Sequence, residues 1–286
     1  MALQDFATKV SQLEDYPRIL IYSKEGAGKT HLAGTFPKPL ILDFDGGAAT
    51  FKKVCPDGVI FSIDKKDIAS GKIKPYEDVS KLLSEASQRK GRFAAGKDWA
   101  DIKTIVIDGW TALASALMYE MIAEPGEDVD MVEKMQMQQW GELKTKQESL
   151  MGKLKGLPML VVITCWMEFR QTRSDTGVST DVRQQTKDKQ ADDNMFVPIP
   201  NVPGSYRDSI RYECSEVYYL ARDKSNMRQL YSQPYRKYLG KSKCEGDMPN
   251  PLANPNAKTL FPYLAKVYKL GVEKKAGTET TAEVIN

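Results

Sequence analysis

Arg18-Ile-Leu-Ile-Tyr-Ser-Lys-Glu-Gly-Ala-Gly-Lys-Thr30 is the stretch on which the fold turns. Its apolar beginning, Ile19 to Tyr22, reads as a buried strand. The strand empties into a glycine-bearing turn ending Gly28-Lys29-Thr30, and a helix-compatible run begins at His31. That order suits a polyphosphate. Backbone N–H groups at a helix N-terminus point at an anion and carry partial positive charge. Glycines let the backbone approach phosphates, a lysine reaches the β/γ-phosphates, and a hydroxyl completes a Mg²⁺ shell. The pattern G-x-x-x-x-G-K-[ST] is met except at its first position, where Ser23 stands. Ser23, Glu25, Gly26, Ala27, Gly28, Lys29, Thr30 and His31 are therefore the candidate cradle for a nucleoside triphosphate. The plainer alternative is a chance glycine turn before a helix.

Composition frames that reading. A chain of 286 residues with 41% hydrophobic content can bury one large α/β core. Its net charge of +3 comes from 41 basic and 38 acidic residues. No global basic excess argues for nucleic acid, so local clustering has to make that case. Cys55, Cys165, Cys214 and Cys244 are scattered without a C-x-x-C pair. Buried free thiols fit that spacing better than disulfides or a zinc site, as in a reducing cytosol. Met1 to Lys9 lacks the apolar segment of a signal peptide, and no apolar run reaches membrane-spanning length. The expectation is a cytoplasmic protein without a membrane partner.

Strands are expected at Pro39–Leu42, Val59–Ile63, Thr104–Asp108 and Leu157–Thr164, with helices at Tyr76–Ala86 and Trp110–Met121. Glu124–Asp130 reads as an acidic linker. Met131–Lys155 reads as a surface helix turning Trp140, Leu143, Leu150 and Leu154 inward. Continuous apolar runs alternating with helices mark a mostly parallel sheet covered on both faces. From Met167 to Asn201 no periodicity survives, and the stretch reads as one long functional loop. Beyond it come a helix at Tyr206–Tyr212 and a strand at Glu216–Ala221. Antiparallel strands at Met227–Tyr231 and Tyr235–Lys241 and a helix at Leu260–Leu270 complete the core. Residues 1–270 form one domain in this reading, and 271–286 a disordered polar tail.

Asp108 closes an apolar strand. In P-loop proteins such an acid holds Mg²⁺ beside the P-loop hydroxyl, here Thr30; alone, it would simply cap the next helix. Asp43 and Asp45 lie at the carboxyl end of the strand after the cradle, the edge where ligands bind in open α/β sheets. Either can orient water, and either can instead build an Asx turn into Gly46-Gly47. Between Arg222 and Lys243 stand Arg222, Lys224, Arg228, Arg236, Lys237, Lys241 and Lys243 against the single acid Asp223. Tyr231, Tyr235 and Tyr238 are interleaved. Cations with aromatics suit single-stranded nucleic acid, although a solvated ribbon face gives the same pattern. Residues 170–190 hold five basic and three acidic side chains, which suits a binding loop. His31, the single histidine, fits packing or polarity beside phosphate better than catalysis.

Ser-Lys-Glu-Gly-Ala-Gly-Lys-Thr-His-Leu-Ala at 23–33, followed by Pro-Lys-Pro-Leu-Ile-Leu-Asp-Phe-Asp-Gly-Gly at 37–47, resembles the opening of RecA-like P-loop ATPases. Among these it is similar to phage-encoded, AAA-type nucleotide-binding proteins, including the single-strand annealing proteins described as core-only recombinases. Thr-Ile-Val-Ile-Asp at 104–108, Gln-Gln-Trp-Gly-Glu-Leu at 138–143 and Pro-Met-Leu-Val-Val-Ile-Thr at 158–164 extend the resemblance. So does Val-Pro-Gly-Ser-Tyr-Arg-Asp-Ser-Ile at 202–210, and the likeness spans roughly residues 15–245.

The resemblance implies ATP and Mg²⁺ as cofactors, with Thr30 and Asp108 as metal ligands. It makes Asp45 the counterpart of the catalytic glutamate, one methylene shorter, which implies slow hydrolysis. Thr164 becomes the polar contact where relatives carry a histidine or glutamine sensor, since Cys165-Trp166 follows here. Residues 170–201 take the place of a recombinase DNA-binding loop. Lys241 and Lys243 resemble basic residues that reach a neighbouring subunit's ATP, so the catalytic set would be Lys29, Asp45, Lys241 and Lys243. The implied function is a slowly hydrolysing, DNA-stimulated ATPase that binds single-stranded DNA and promotes annealing or strand exchange in phage recombination. It would self-associate into a filament or ring with ATP at the protomer interface, working in the host cytoplasm with a phage single-strand binding protein. Two other classes stay open: a replication or packaging accessory ATPase without single-strand affinity, and a nucleotide-bound interaction protein without turnover.

Overall fold

Residue alternation along the central strands explains why this chain forms a three-layer α/β structure. The computed structural model describes residues 16–90, 97–122, 135–173, 194–234, 239–244, 246–268 and 270. Strand β1 (Arg18–Ser23) leads through the glycine turn into helix α1 (Lys29–Gly34), two residues earlier than the sequence suggests. β2 (Pro39–Asp43), α2 (Ala48–Val54), β3 (Val59–Ser62), α3 (Lys65–Ala69) and α4 (Pro75–Gln88) follow. Then come β4 (Thr104–Asp108), α5 (Trp110–Ile122) and α6 (Met137–Lys155). After β5 (Leu160–Arg173), β6 (Asn194–Pro200), α7 (Arg207–Glu213), β7 (Glu216–Arg222) and β8 (Arg228–Tyr231), the chain closes with β9 (Leu252–Ala253) and α8 (Ala257–Tyr268).

The strands form one sheet in the order β3-β2-β4-β5-β1-β7-β8-β9, with β6 paired to β5. β3, β2, β4, β5, β1 and β7 run parallel, whereas β8 and β9 are antiparallel. This is the expected α/β arrangement, a mostly parallel sheet flanked by helices with antiparallel strands near the C-terminus. All residues of β2 and β4 are buried, as strands covered on both faces must be. Successive side chains point to opposite faces. Leu20, Tyr22, Leu40, Leu42, Ile105, Ile107, Val161 and Ile163 thus pack against α4, α5, α6 and α7. Ile19, Ile21, Ile41, Val106 and Val162 pack against α1, α2 and α8.

Two expectations need correction. The stretch after the fifth strand is not one long loop: β5 runs on to Arg173 and pairs antiparallel with β6, from Met167↔Pro200 to Arg173↔Asn194. Main-chain pairing needs no apolar alternation, so polar residues there hid the ladder. A continuous strand at Tyr235–Lys241 is also absent from its described part, where Lys241 forms a single bridge to Val217. The long helix starts at Met137, and Gln136 and Gln139 close its first turn reciprocally as a capping box. The acidic linker 124–130, Tyr235, Arg236, Lys237, Tyr238, the core of the expected loop (174–193) and the tail 271–286 lie outside the described residues. Cys55, Cys165, Cys214 and Cys244 are free thiols, all but Cys55 buried. No helix among the described residues is long and apolar enough to cross a membrane.

Candidate functional site

Six parallel strands aim their carboxyl ends at one edge, and all the candidate residues except Lys241 and Lys243 lie there. Past β1 the chain turns through Gly26 (φ +71) and Gly28 (φ +106), backbone states that side chains with a Cβ rarely adopt. Ser23 is fully buried and its hydroxyl donates to the Lys24 carbonyl at 2.9 Å, so a serine closes the turn where the motif has glycine. Glu25 and Gly26 are exposed, and Ala27 is buried in the core under α1. Lys29 is 7% exposed, its ammonium donating to the carbonyls of Ser23 (3.3 Å) and Lys24 (3.2 Å). Burial pulls the Lys29 pKa below its ordinary value, against the raising influence of Asp45, Cys165, Asp108 and Glu25. A buried cation bonded only to neutral carbonyls is suited to an anion.

A chain of hydroxyls and a carboxylate lies beside it. Thr30 Oγ1 donates to Asp108 Oδ2 at 3.0 Å, and Thr164 Oγ1 donates to Asp108 Oδ1 at 2.7 Å. The Gly109 amide donates to Thr164 Oγ1 at 2.8 Å, which fixes the rotamer of that threonine. Register makes this possible, because β4 and β1 both flank β5. Burial pushes the Asp108 carboxyl up to about 6, against the lowering hydrogen bonds from Thr164 and Thr30, while Asp43 and Asp45 push it further up. Gly47 is required for this packing: a Cβ there would sit 2.5 Å from Asp108 Oδ2 and 2.7 Å from Thr30 Cγ2.

Asp43 and Asp45 separate in role. Asp43 Oδ1 accepts from the amides of Gly47 (2.8 Å) and Asp45 (3.2 Å), the Asx turn that spacing left open. Its Oδ2 is buried without a hydrogen-bond partner. Asp43 is in register with Asp108 across β2 and β4. Asp45 is exposed, and its Oδ2 accepts the Trp166 indole N–H at 2.8 Å. Of the three carboxylates at this edge Asp108 touches Thr30, and the buried Oδ2 of Asp43 has no hydrogen-bond partner among the described residues. Among the described residues no group of three metal-ligating side chains is close enough to hold a metal unaided. That suits Mg²⁺, which takes one or two protein ligands and completes its shell with water and phosphate oxygens. Thr30 and Asp108 are placed to supply them.

Lys241 and Lys243 lie elsewhere. Lys241 Nζ donates to the Cys214 carbonyl at 2.8 Å, just past the end of α7, a favourable place for a cation. Lys243 Nζ sits 5.2 Å from the ring centroid of Tyr268. Neither joins the cradle of its own chain. Four residues that sequence reasoning did not assign to the nucleotide, Arg222, Arg228, Trp166 and Phe169, do border it. Arg222 Nε donates to the Gly26 carbonyl at 3.1 Å, and Arg228 Nη1 lies 3.1 Å from His31 Nδ1. Trp166 and Phe169, 45% and 52% exposed, line a cleft of about 470 Å³ with Ser23, Lys24, Glu25 and Met167. A long-range strand register carries this information, and a local pattern does not.

The AAA domain family model matches residues 15–244. No curated protein matches the chain. Among solved structures, that of the RadB recombinase is similar, with 14% sequence identity and a TM-score of 0.41, covering 84% of this chain and 86% of that one.

Proposed function

From the premise that the chain belongs to the AAA domain family and is a P-loop nucleotide-binding protein, we propose that it binds ATP·Mg²⁺ and hydrolyses it slowly. The observation that carries this reading is the Thr30–Asp108–Thr164 chain beside a buried lysine that no carboxylate among the described residues directly pairs. Residues 23–31 offer main-chain amides to the polyphosphate, and the Lys29 ammonium leaves its carbonyl partners for the β- and γ-phosphates. Thr30 and Asp108 hold the metal, which neutralises phosphate charge. Asp43 keeps the turn after β2 rigid. Asp45 orients the attacking water, held at the required place by the Trp166 indole, and Thr164 transmits the state of this edge to β5.

The same strand continues as the β5–β6 ribbon, whose exposed Trp166 and Phe169 offer rings for bases, with Lys24 Nζ 5.3 Å from the Phe169 ring centroid. The protein therefore binds single-stranded DNA in our reading, and promotes annealing or strand exchange in phage recombination in the host cytoplasm. A phage single-strand binding protein is its expected partner. It acts as a filament or ring in which Lys241 and Lys243 reach the ATP of an adjacent protomer. Phosphate release from Mg·ATP, measured with and without oligo-dT, tests this. The expected result is slow basal release that rises with DNA. Turnover indifferent to DNA that does not bind would replace the reading with an accessory ATPase, and binding of ATP without turnover with an interaction protein.

A further inference from the structure

β7 passes its partner β1 and carries on beside the cradle before turning back as β8. Arg222 and Arg228 stand directly opposite each other at the tip of that hairpin. Like charges in directly opposed positions are unfavourable. Neither arginine makes an ion pair with a carboxylate among the described residues. The adjacent acid is occupied elsewhere. Asp223 accepts from the amides of Ser225 and Met227 and from Gln229 Nε2, each at 2.9 Å, holding the hairpin turn.

Both guanidinium groups lean on the cradle. Arg222 holds the Gly26 carbonyl, and the Arg228 side chain fills the place of the missing Gly28 side chain: a Cβ at Gly28 would lie 2.5 Å from Arg228 Nε. Arg228 Nε is itself buried without an acceptor. Arg228 Nη1 also lies 3.1 Å from His31 Nδ1 on the first turn of α1. With Lys29 and Arg222 this sets three cations along the turn from Gly26 to His31, none of them in an ion pair with a carboxylate among the described residues. Its flank is defined by the sheet order, since β5 lies on one side of β1, bringing Thr164 towards Asp108, and β7 on the other.

We propose that Arg222 and Arg228 form a phosphate clamp supplied by the chain itself, gripping the nucleoside triphosphate on the α-phosphate flank, opposite Thr30 and Asp108. This rests on the nucleotide reading above and adds to it a binding contribution that needs no neighbouring protomer. Because the α-phosphate is common to ATP and ADP, the clamp serves both, and it keeps the product bound after γ-phosphate release.

Titration of methylanthraniloyl-ADP and methylanthraniloyl-ATP into the full chain tests it, using Arg222→Gln, Arg228→Gln, the double variant and Arg228→Lys. The double variant should lose affinity for both nucleotides by a similar factor, roughly 10- to 100-fold, the range expected of charge-assisted hydrogen bonds. Arg228→Lys should recover part of it. Arg222 is exposed, so Arg222→Gln should fold normally and alone weaken both probes several-fold. Unchanged affinity in the Gln variants overturns the clamp. So does loss of oligo-dT binding with unaltered nucleotide affinity, which would make the pair a DNA contact. Lys29→Ala separates the two levels: if it too binds both probes and hydrolyses ATP like the parent, the nucleotide site itself is wrong.

Discussion

At Asp108, burial and charge act against each other. The carboxylate is fully buried, in register with Asp43, and ionises at about 6 instead of its ordinary 3.8. An acid whose folded pKa is raised destabilises the fold as pH rises from its unfolded value through its folded one. In metal-free protein this cost is therefore absent below about pH 4 and complete above about pH 6. Asp108→Asn removes it. With chelator present, the variant should be more stable than the parent by on the order of 2 kcal/mol at pH 8, less at pH 5, and unable to hydrolyse ATP. Denaturant titrations at the two pH values check this; a variant less stable at both would contradict it. The opposite behaviour is expected at Trp166, where the indole N–H holds Asp45. Trp166→Phe should lower kcat roughly tenfold with little change in KM, because misplacing a catalytic group affects the chemical step more than binding. Trp99 and Trp110 are buried, Trp140 is half-buried and Trp166 is the most exposed of the four tryptophans, so the variant should also reduce any change in indole fluorescence on adding Mg·ATP. Lys29, Thr30 and Asp108 were legible as a set because their motif order encodes one geometry. Asp43 and Asp45 were not separable by spacing, since both leave the same strand end. Only the amides of Asp45 and Gly47 bonding to Asp43 assign the Asx turn.

Among the elements, apolar runs were readable and polar ladders were not. β1, β2 and β4 announce themselves because both faces are buried. The outer half of β5 carries Glu168, Arg170 and Thr172, and its pairing with β6 leaves no hydrophobic period. Ion pairs fasten this ribbon to α7, Arg207–Glu168 at 2.7 Å and Arg170–Asp208 at 3.0 Å. It is thereby an extension of the strand that carries Thr164. In the proposed reading Phe169→Ala should weaken oligo-dT binding by roughly tenfold, the loss of one stacked base, without changing the salt slope. Lys24→Ala should instead reduce that slope by about one. Equal slopes in parent and Lys24→Ala would remove Lys24 from the DNA path. The β7–β8 hairpin gives the complementary lesson. Its basic composition was visible, but its use depends on β7 lying beside β1, a pairing between residues nearly two hundred positions apart, as Arg222 and Gly26 show.

For the whole molecule, the decisive feature is a sheet order that gathers distant segments at one edge. Cradle, Asp45, Asp108, Thr164 and the two arginines all reach that edge, and the ribbon leaves from it. Lys241 and Lys243 lie away from it, fastened beside α7 and Tyr268, outside the cradle of their own chain. The alternation of apolar runs and helices made this architecture legible, and the comparison of patterns could not supply the distances. Its central claim is that one chain cradles a triphosphate between Lys29 and a metal held by Thr30 and Asp108. Steady-state phosphate release by parent and Lys29→Ala protein, with Mg²⁺ and with chelator, tests that claim most directly. The account predicts turnover only in the parent with Mg²⁺, with Lys29→Ala reduced to background and still folded by circular dichroism. Undiminished release by folded Lys29→Ala, or release by the parent in chelator, would contradict it.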